Sequence, residues 1–279
     1  MYEREMLQID QNKKKVFGRD IFNNKKLSFE SEMNIATPSD YLLGPGDAVY
    51  VDVWGASQKQ FESTVSPEGV INIEGYGPIN VNGLTVAQAN QRLRSTLGSR
   101  FGGSQIKLTV GQTKTITVNV MGEVKTPGTY TVSAFATVFH ALYMAGGVND
   151  IGTLRSIKVL RKGRLVSTVD IYDYILNGKL TGNIRLTSDD VIYVDTYDCL
   201  VNISGKVKRP MFYEMKKTES VNTLIKYAGG FTGDAFSDNI TLIRKAGGIM
   251  SIYSLNEFER GKFQLQDADS VWVDSVIDR

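Results

Sequence analysis

From about residue 116 onward the chain is one segment written twice. Shifted along itself by 83 residues, 116–196 matches 199–276, and self-similarity at a fixed offset means that two copies of one structural unit are stacked in series. Gly122-Glu123-Val124-Lys125 falls on Gly205-Lys206-Val207-Lys208, Pro127 on Pro210, Tyr130 on Tyr213, and Ala145-Gly146-Gly147 on Ala228-Gly229-Gly230. Ile157 then meets Ile240, Arg161 meets Arg244, and Gly178-Lys179 meets Gly261-Lys262. After a four-residue deletion, Leu186, Asp190, Tyr193, Val194 and Asp195 correspond to Leu265, Asp269, Trp272, Val273 and Asp274.

Each copy predicts the same short helix. Thr137 or Ser220 stands at the N-cap, Val138, Ala141, Leu142 and Ala145 (Val221, Leu224, Ile225 and Ala228 in the second copy) form one face, and the following Gly-Gly stops it. The expected order is strand, proline turn, strand, helix, Gly-Gly loop, two strands, a polar turn and a last strand. That is an α+β unit of roughly 80 residues, a small mixed sheet packed on one helix.

Upstream, Tyr41-Leu42-Leu43-Gly44-Pro45-Gly46-Asp47 is turn chemistry and leads into a strand whose Val49, Val51 and Val53 share a side. Val65–Ile73 predicts a second strand pair turned by Pro67-Glu68-Gly69. Leu84–Gly98 predicts a helix with Thr85 and Gln88 as a capping box and Val86, Ala89, Leu93 and Leu97 on one face. Ile106–Val110 and Thr115–Val120 read as alternating strands. Residues 1–39 are polar apart from an apolar knot at Val16, Phe17, Ile21 and Phe22, and predict a leader or linker that docks on a neighbour.

Charge argues against nucleic acid as a partner, because 32 Lys and Arg nearly balance 30 Asp and Glu and phosphate binding needs concentrated positive charge. The runs Lys13-Lys14-Lys15 and Lys25-Lys26 read as solvated. The one cysteine, Cys199, excludes an intrachain disulfide framework and a cysteine-rich metal site, and reads as a small buried residue. No stretch approaches the roughly 20 apolar residues of a membrane-spanning helix, and the N-terminus lacks a signal peptide's hydrophobic segment. The expectation is a soluble chain whose membrane association, if any, comes through segments outside it.

These motifs carry a resemblance. Tyr41–Phe101, with Leu-Gly-Pro-Gly-Asp, Val65-Ser66-Pro67-Glu68-Gly69, Gly75-Tyr76-Gly77-Pro78-Ile79 and Val81-Asn82-Gly83-Leu84-Thr85, resembles the export domain of the Wza-like outer-membrane polysaccharide export family. The repeats, with Gly-x-Val-x-x-Pro and Ala-Gly-Gly, resemble the soluble-ligand-binding β-grasp (SLBB) domains that follow it there, most closely those of capsule proteins of the Bacteroides group. The resemblance implies 1–39 as leader, 40–113 as a β-rich export domain, 114–197 as the first SLBB domain and 198–279 as the second. It further implies a periplasmic, outer-membrane-associated homo-oligomer that surrounds a polysaccharide and contacts an inner-membrane polysaccharide co-polymerase, with no cofactor and no catalysis. A periplasmic saccharide-binding receptor is the alternative. The sequence departs from the family in having no lipid-accepting cysteine near its start and no amphipathic C-terminal helix.

Sites are sparse. A catalytic device would have to use the single histidine, His140, which reads as a solvated or helix-end residue. Asp189-Asp190 and Asp267-x-Asp269 could be glycosidase carboxylates or a calcium site, but their matching place before a last strand favours turns. Tyr130, Tyr213, Tyr76 and Trp54 can stack on sugars or pack in strands. The proline turns 123–128 and 206–211 are the expected contact regions, with Glu123, Tyr130, Lys208, Arg209 and Tyr213 as candidate glycan or subunit contacts.

Overall fold

The computed structural model describes residues 15–23 and 37–276; Lys13, Lys14, Lys25 and Lys26 lie outside the described residues. In chain order the first unit holds β1 (Ala48–Gly55), β2 (Lys59–Thr64), β3 (Val70–Ile73), β4 (Gly77–Asn80), α1 (Val86–Leu97) and β5 (Ser104–Gln112). β1 lies between β2 and β5 in an antiparallel sheet, and β3 pairs with β4 in a separate ribbon. Alternation buries Val49, Val51 and Val53 with Ile106 and Leu108, and α1 sets Ala89, Leu93 and Leu97 into the same core. Thr85 and Gln88 form the expected capping box.

One expectation is corrected. Pro67-Glu68-Gly69 does turn, with the Gly69 N–H donating to the Ser66 carbonyl at 2.8 Å, but it does not join a strand pair. The Val65 N–H donates to the Asp47 carbonyl at 2.9 Å, which keeps the chain before the turn on the β1 side, while Val70–Ile73 leaves to pair with β4.

The first repeat contains β6 (Thr115–Gly122), β7 (Gly128–Ser133), α2 (Val138–Met144), β8 (Ile157–Arg161), β9 (Arg164–Val169), α3 (Ile171–Asn177) and β10 (Val191–Val194). The second contains β11 (Leu200–Gly205), β12 (Met211–Glu214), α4 (Val221–Tyr227), β13 (Asn239–Ala246), β14 (Ile249–Asn256), α5 (Glu257–Arg260) and β15 (Ser270–Val273). Sheet orders β7-β6-β10-β8-β9 and β12-β11-β15-β13-β14 are the same, with the last strand of each repeat parallel to its first. This is an α+β, β-grasp-like arrangement. The matched Gly122 and Gly205 end the parallel pairing at positive φ, where a Cβ would come within 2.1 Å of the Val194 or Val273 carbonyl oxygen.

The expected order omits α3 and α5. Both have readable ends: Asp170 accepts from the Tyr172 N–H, Gly178 takes φ 67° after α3, and Asn256 with Glu259 makes a capping box for α5. Ser220 occupies its expected cap position without a side-chain cap bond, whereas Thr137 pairs with His140.

One local device opens a strand in all three units. Leu43-x-x-x-Asp47, Leu186-x-x-x-Asp190 and Leu265-x-x-x-Asp269 each precede an alternating strand, and all six residues are buried. Each aspartate accepts at 2.8 Å from the backbone N–H three residues earlier: Gly44, Thr187 and Gln266. The residue before it has positive φ in every case, Gly46 at 92°, Asp189 at 67° and Ala268 at 65°. Asp47 also binds the Tyr41 hydroxyl (2.7 Å) and the Lys114 N–H (2.8 Å), while Asp190 and Asp269 take bidentate bonds from Arg161 and Arg244. The Asp pairs are thus turn elements. Left-handed backbone costs a non-glycine residue roughly 1–2 kcal/mol, so Ala268→Gly should raise stability by about 0.5–1 kcal/mol after its unfolded-state entropy is counted, as read by urea unfolding.

Candidate functional site: clasped proline turns and the repeat joint

In each repeat the proline turn is gripped by the Gly-Gly loop. Lys125 and Thr126 N–H groups donate to the Gly147 and Ala145 carbonyls at 3.0 Å each, and Lys208 and Arg209 repeat the pattern on Gly230 (3.1 Å) and Ala228 (2.8 Å). The two motifs that carry the family resemblance are therefore hydrogen-bond partners. The candidate tyrosines complete the clasp: Tyr130 donates its hydroxyl to the Thr126 carbonyl (2.5 Å), and Tyr213 donates to that of Arg209 (2.9 Å).

The structure places the five candidates unequally. Lys208 is exposed; Glu123 is half-buried, its carboxylate accepting from the Asn149 side chain at 2.7 Å; Tyr130 is half-buried. Arg209 is half-buried, donates to the Tyr227 carbonyl at 2.9 Å and lies 5.0 Å over the Phe17 ring. Tyr213 is corrected: it is 0% exposed and stacks on Phe17, so it packs the core and offers no face to a ligand.

Phe17 belongs to the segment expected as a leader, and the neighbour on which the apolar knot docks is its own pair of repeats. Val16 pairs in parallel with Phe212, extending the β12 edge, and the Phe17 N–H donates to the Phe212 carbonyl at 2.9 Å. The Phe17 ring sits 5.2 Å from both Tyr172 of the first repeat and Tyr213 of the second. Phe22 packs on Phe139, and Arg19 donates to the Asn149 and Gly152 carbonyls.

Beside this wedge, Arg155 is 5% exposed yet fully engaged. It donates to Asp170 (2.9 Å), to both oxygens of Glu219 (2.7 and 3.0 Å) and to the Glu214 carbonyl (2.8 Å), and its guanidinium lies 4.4 Å over the Tyr172 ring. The Glu214 carboxylate crosses back to the Thr153 hydroxyl and the Leu154 N–H, and the Glu214 N–H donates to the Tyr172 hydroxyl at 2.8 Å. Burial pushes the Glu214 carboxyl above its ordinary 4.5 despite those bonds. Burial also acts to raise Glu219, but Arg155, the Lys216 N–H and Tyr227 hold it below 4.5.

Two residues singled out in the sequence have structural roles. Cys199 is buried, which pushes its thiol up to about 12. The His140 Nδ1 accepts from the Thr137 N–H at 3.1 Å and shares a bond with its hydroxyl, and burial holds the imidazole below 6.5. Among the described residues, no group of three or more His, Cys, Asp or Glu is placed to hold a metal ion, and no helix is long and apolar enough to cross a membrane.

A β-rich unit followed by two β-grasp-like copies defines a multidomain architecture, and comparison with known proteins makes it specific. Residues 35–111 match the family of the polysaccharide biosynthesis/export protein, and 117–182 and 200–253 match the SLBB domain. The polysialic acid transport protein KpsD of Escherichia coli is 29% identical over 84% of this chain and 41% of its own length. The EPS I polysaccharide export outer membrane protein EpsA of Ralstonia nicotianae is 25% identical over 86% of this chain and 72% of its own. The chain thus carries a domain of the polysaccharide biosynthesis/export protein family followed by two SLBB domains, and spans less than half the length of KpsD.

Removing one partner of a buried ion pair leaves the other uncompensated. Arg155→Ala should therefore cost about 3 kcal/mol and Phe17→Ala roughly 3 kcal/mol, measured by denaturant unfolding. Because Glu219 is depressed, its contribution is present above its unfolded value of 4.5 and lost as pH falls through the lower folded value. Glu214, raised by burial, acts in the opposite sense, so Glu219→Gln should flatten the loss of stability below about pH 4.5. The single histidine gives one pair of ring C–H resonances in a pH titration, with an expected midpoint below 6.5.

Proposed function

We propose that the chain is the periplasmic, outer-membrane-associated part of a polysaccharide export protein. It forms a homo-oligomeric conduit for capsule or exopolysaccharide chains and meets an inner-membrane polysaccharide co-polymerase. The observation that carries this reading is the succession of an export domain, matched over 35–111, and two SLBB domains, matched over 117–182 and 200–253. The names of KpsD and EpsA, a transport protein and an export protein, support it.

The mechanism is confinement, without a catalysed reaction: rigid domains set side by side enclose a polar passage, and weak sugar contacts let the polymer slide. Exposed chemistry supports self-association. Edge strand β14 carries Ile249, Met250 and Ile252 at 69%, 57% and 64% exposure, and Phe258 beside it is 86% exposed. An open strand edge bearing a row of large apolar groups is a natural pairing surface. The double substitution Met250→Lys and Ile252→Lys should abolish concentration-dependent self-association in sedimentation velocity while leaving the monomer folded.

Deletion of the encoding gene, with surface and periplasmic polysaccharide quantified before and after complementation, tests the function. Loss of surface glycan with internal accumulation is expected. Unchanged surface glycan, together with saturable binding of a short saccharide by a stable monomer, would instead establish a receptor.

A further inference from the structure

The export domain carries a groove that the proline-turn sites do not involve. It has a volume of about 680 Å³ and runs along the free edge of β5, between that strand and α1. Its lining includes Trp54, Asn90, Arg94, Gln105, Lys107 and Thr109 and, among the described residues, no carboxylate.

Three features define what it can hold. First, the Trp54 indole lines the groove, is 46% exposed and stacks on no ring or cation among the described residues. An exposed indole face is an apolar platform of the size of a pyranose ring. Second, Arg94 and Lys107 are exposed, and neither forms an ion pair among the described residues. Asp52, opposite Lys107 in the ladder, accepts from Gln60 at 2.8 Å instead. The walls thus present two uncommitted cations, and an arginine fork matches a carboxylate.

Third, the groove is poorly suited to a peptide strand. The Asn90 side chain already occupies the middle of the β5 edge, taking the Leu108 N–H at 2.8 Å and donating to the Leu108 carbonyl at 3.1 Å. An incoming strand would need those two backbone groups. A saccharide does not, since its hydroxyls can use the exposed Gln105 and the half-buried Thr109 on the wall.

We infer that this groove is a binding subsite for a carboxylate-bearing glycan segment, with Trp54 stacking on a sugar ring and Arg94 and Lys107 pairing with its acidic groups. The inference rests on the export reading and adds to it the class of polymer and the place of contact.

The test titrates the full chain with hexameric oligogalacturonate and, in parallel, with neutral maltohexaose, following the fluorescence of Trp54, one of only two tryptophans. The expected result is saturable binding of oligogalacturonate that weakens with added salt, at least about tenfold weaker for maltohexaose. The Arg94→Gln, Lys107→Gln double variant should lose about tenfold in affinity for the acidic probe, and Trp54→Ala should lose binding of both, read by the chemical shifts of the β5 amides because the reporter ring is gone. Trp54→Phe should retain part of it, read by the chemical shifts of the β5 amides. Absence of oligogalacturonate binding up to about 10 mM, or equal binding by wild type and the double variant, would overturn the assignment. So would protection of the β5 edge amides by a second copy of the chain in place of sugar. Complementation keeps the two readings apart: if the wild-type gene restores surface glycan while oligogalacturonate fails to bind, the groove assignment falls and export stands; if deletion leaves surface glycan unchanged, export falls.

Discussion

The relative placement of the two SLBB domains depends on one buried cation. Arg155 of the first repeat reaches the Glu214 carbonyl and the Glu219 carboxylate of the second, and it is held from behind by Asp170. A guanidinium that is 5% exposed is tolerable only because every direction it faces supplies an oxygen or a ring. Such a network has one satisfied geometry. Sliding one repeat on the other would strand Arg155, Glu219 and Glu214 together, so the joint specifies orientation more than it adds net stability.

Phe17 locks the same joint from the other side. Its ring bridges a tyrosine from each repeat, and Val16 lends a strand bridge to the β12 edge, which would otherwise be open. At the opposite end, Asp47 ties Tyr41 and the Lys114 N–H to the turn that opens the export domain, and Tyr41 packs on Phe135 of the first repeat. The domains are coupled through buried polar bonds and aromatic wedges. A stiff joint of this kind fits the conduit proposed above, while the open β14 edge and the β5 groove remain for contacts outside the chain.

Much of this was legible in the sequence because the repeat is a strong signal: Gly122 and Gly205, Pro127 and Pro210, and the Gly-Gly pairs each mark a backbone requirement that no other residue type meets as well. The Asp190 and Asp269 turns were readable for the same reason. Their third occurrence at Asp47 was equally present as Leu43-x-x-x-Asp47, but it lies at no fixed offset from the others and so escapes a search by self-alignment. Helices α3 and α5 were missed although Asp170, Gly178 and the Asn256–Glu259 box signal their ends, because short helices carry too little periodicity to stand out. The joint was not legible. Nothing near Phe17 reports that its partners are Tyr172 and Tyr213, and Tyr213 looks in sequence like any strand aromatic that could face a sugar.

Native-state hydrogen exchange on the full chain tests the welded pair most directly. The account predicts that the core amides of β6 and β11 open with the same free energy in the wild type, and that Phe17→Ala combined with Arg155→Ala separates them into two units with distinct opening energies. Two separate opening energies already present in the wild type, and unmoved by the double substitution, would contradict it.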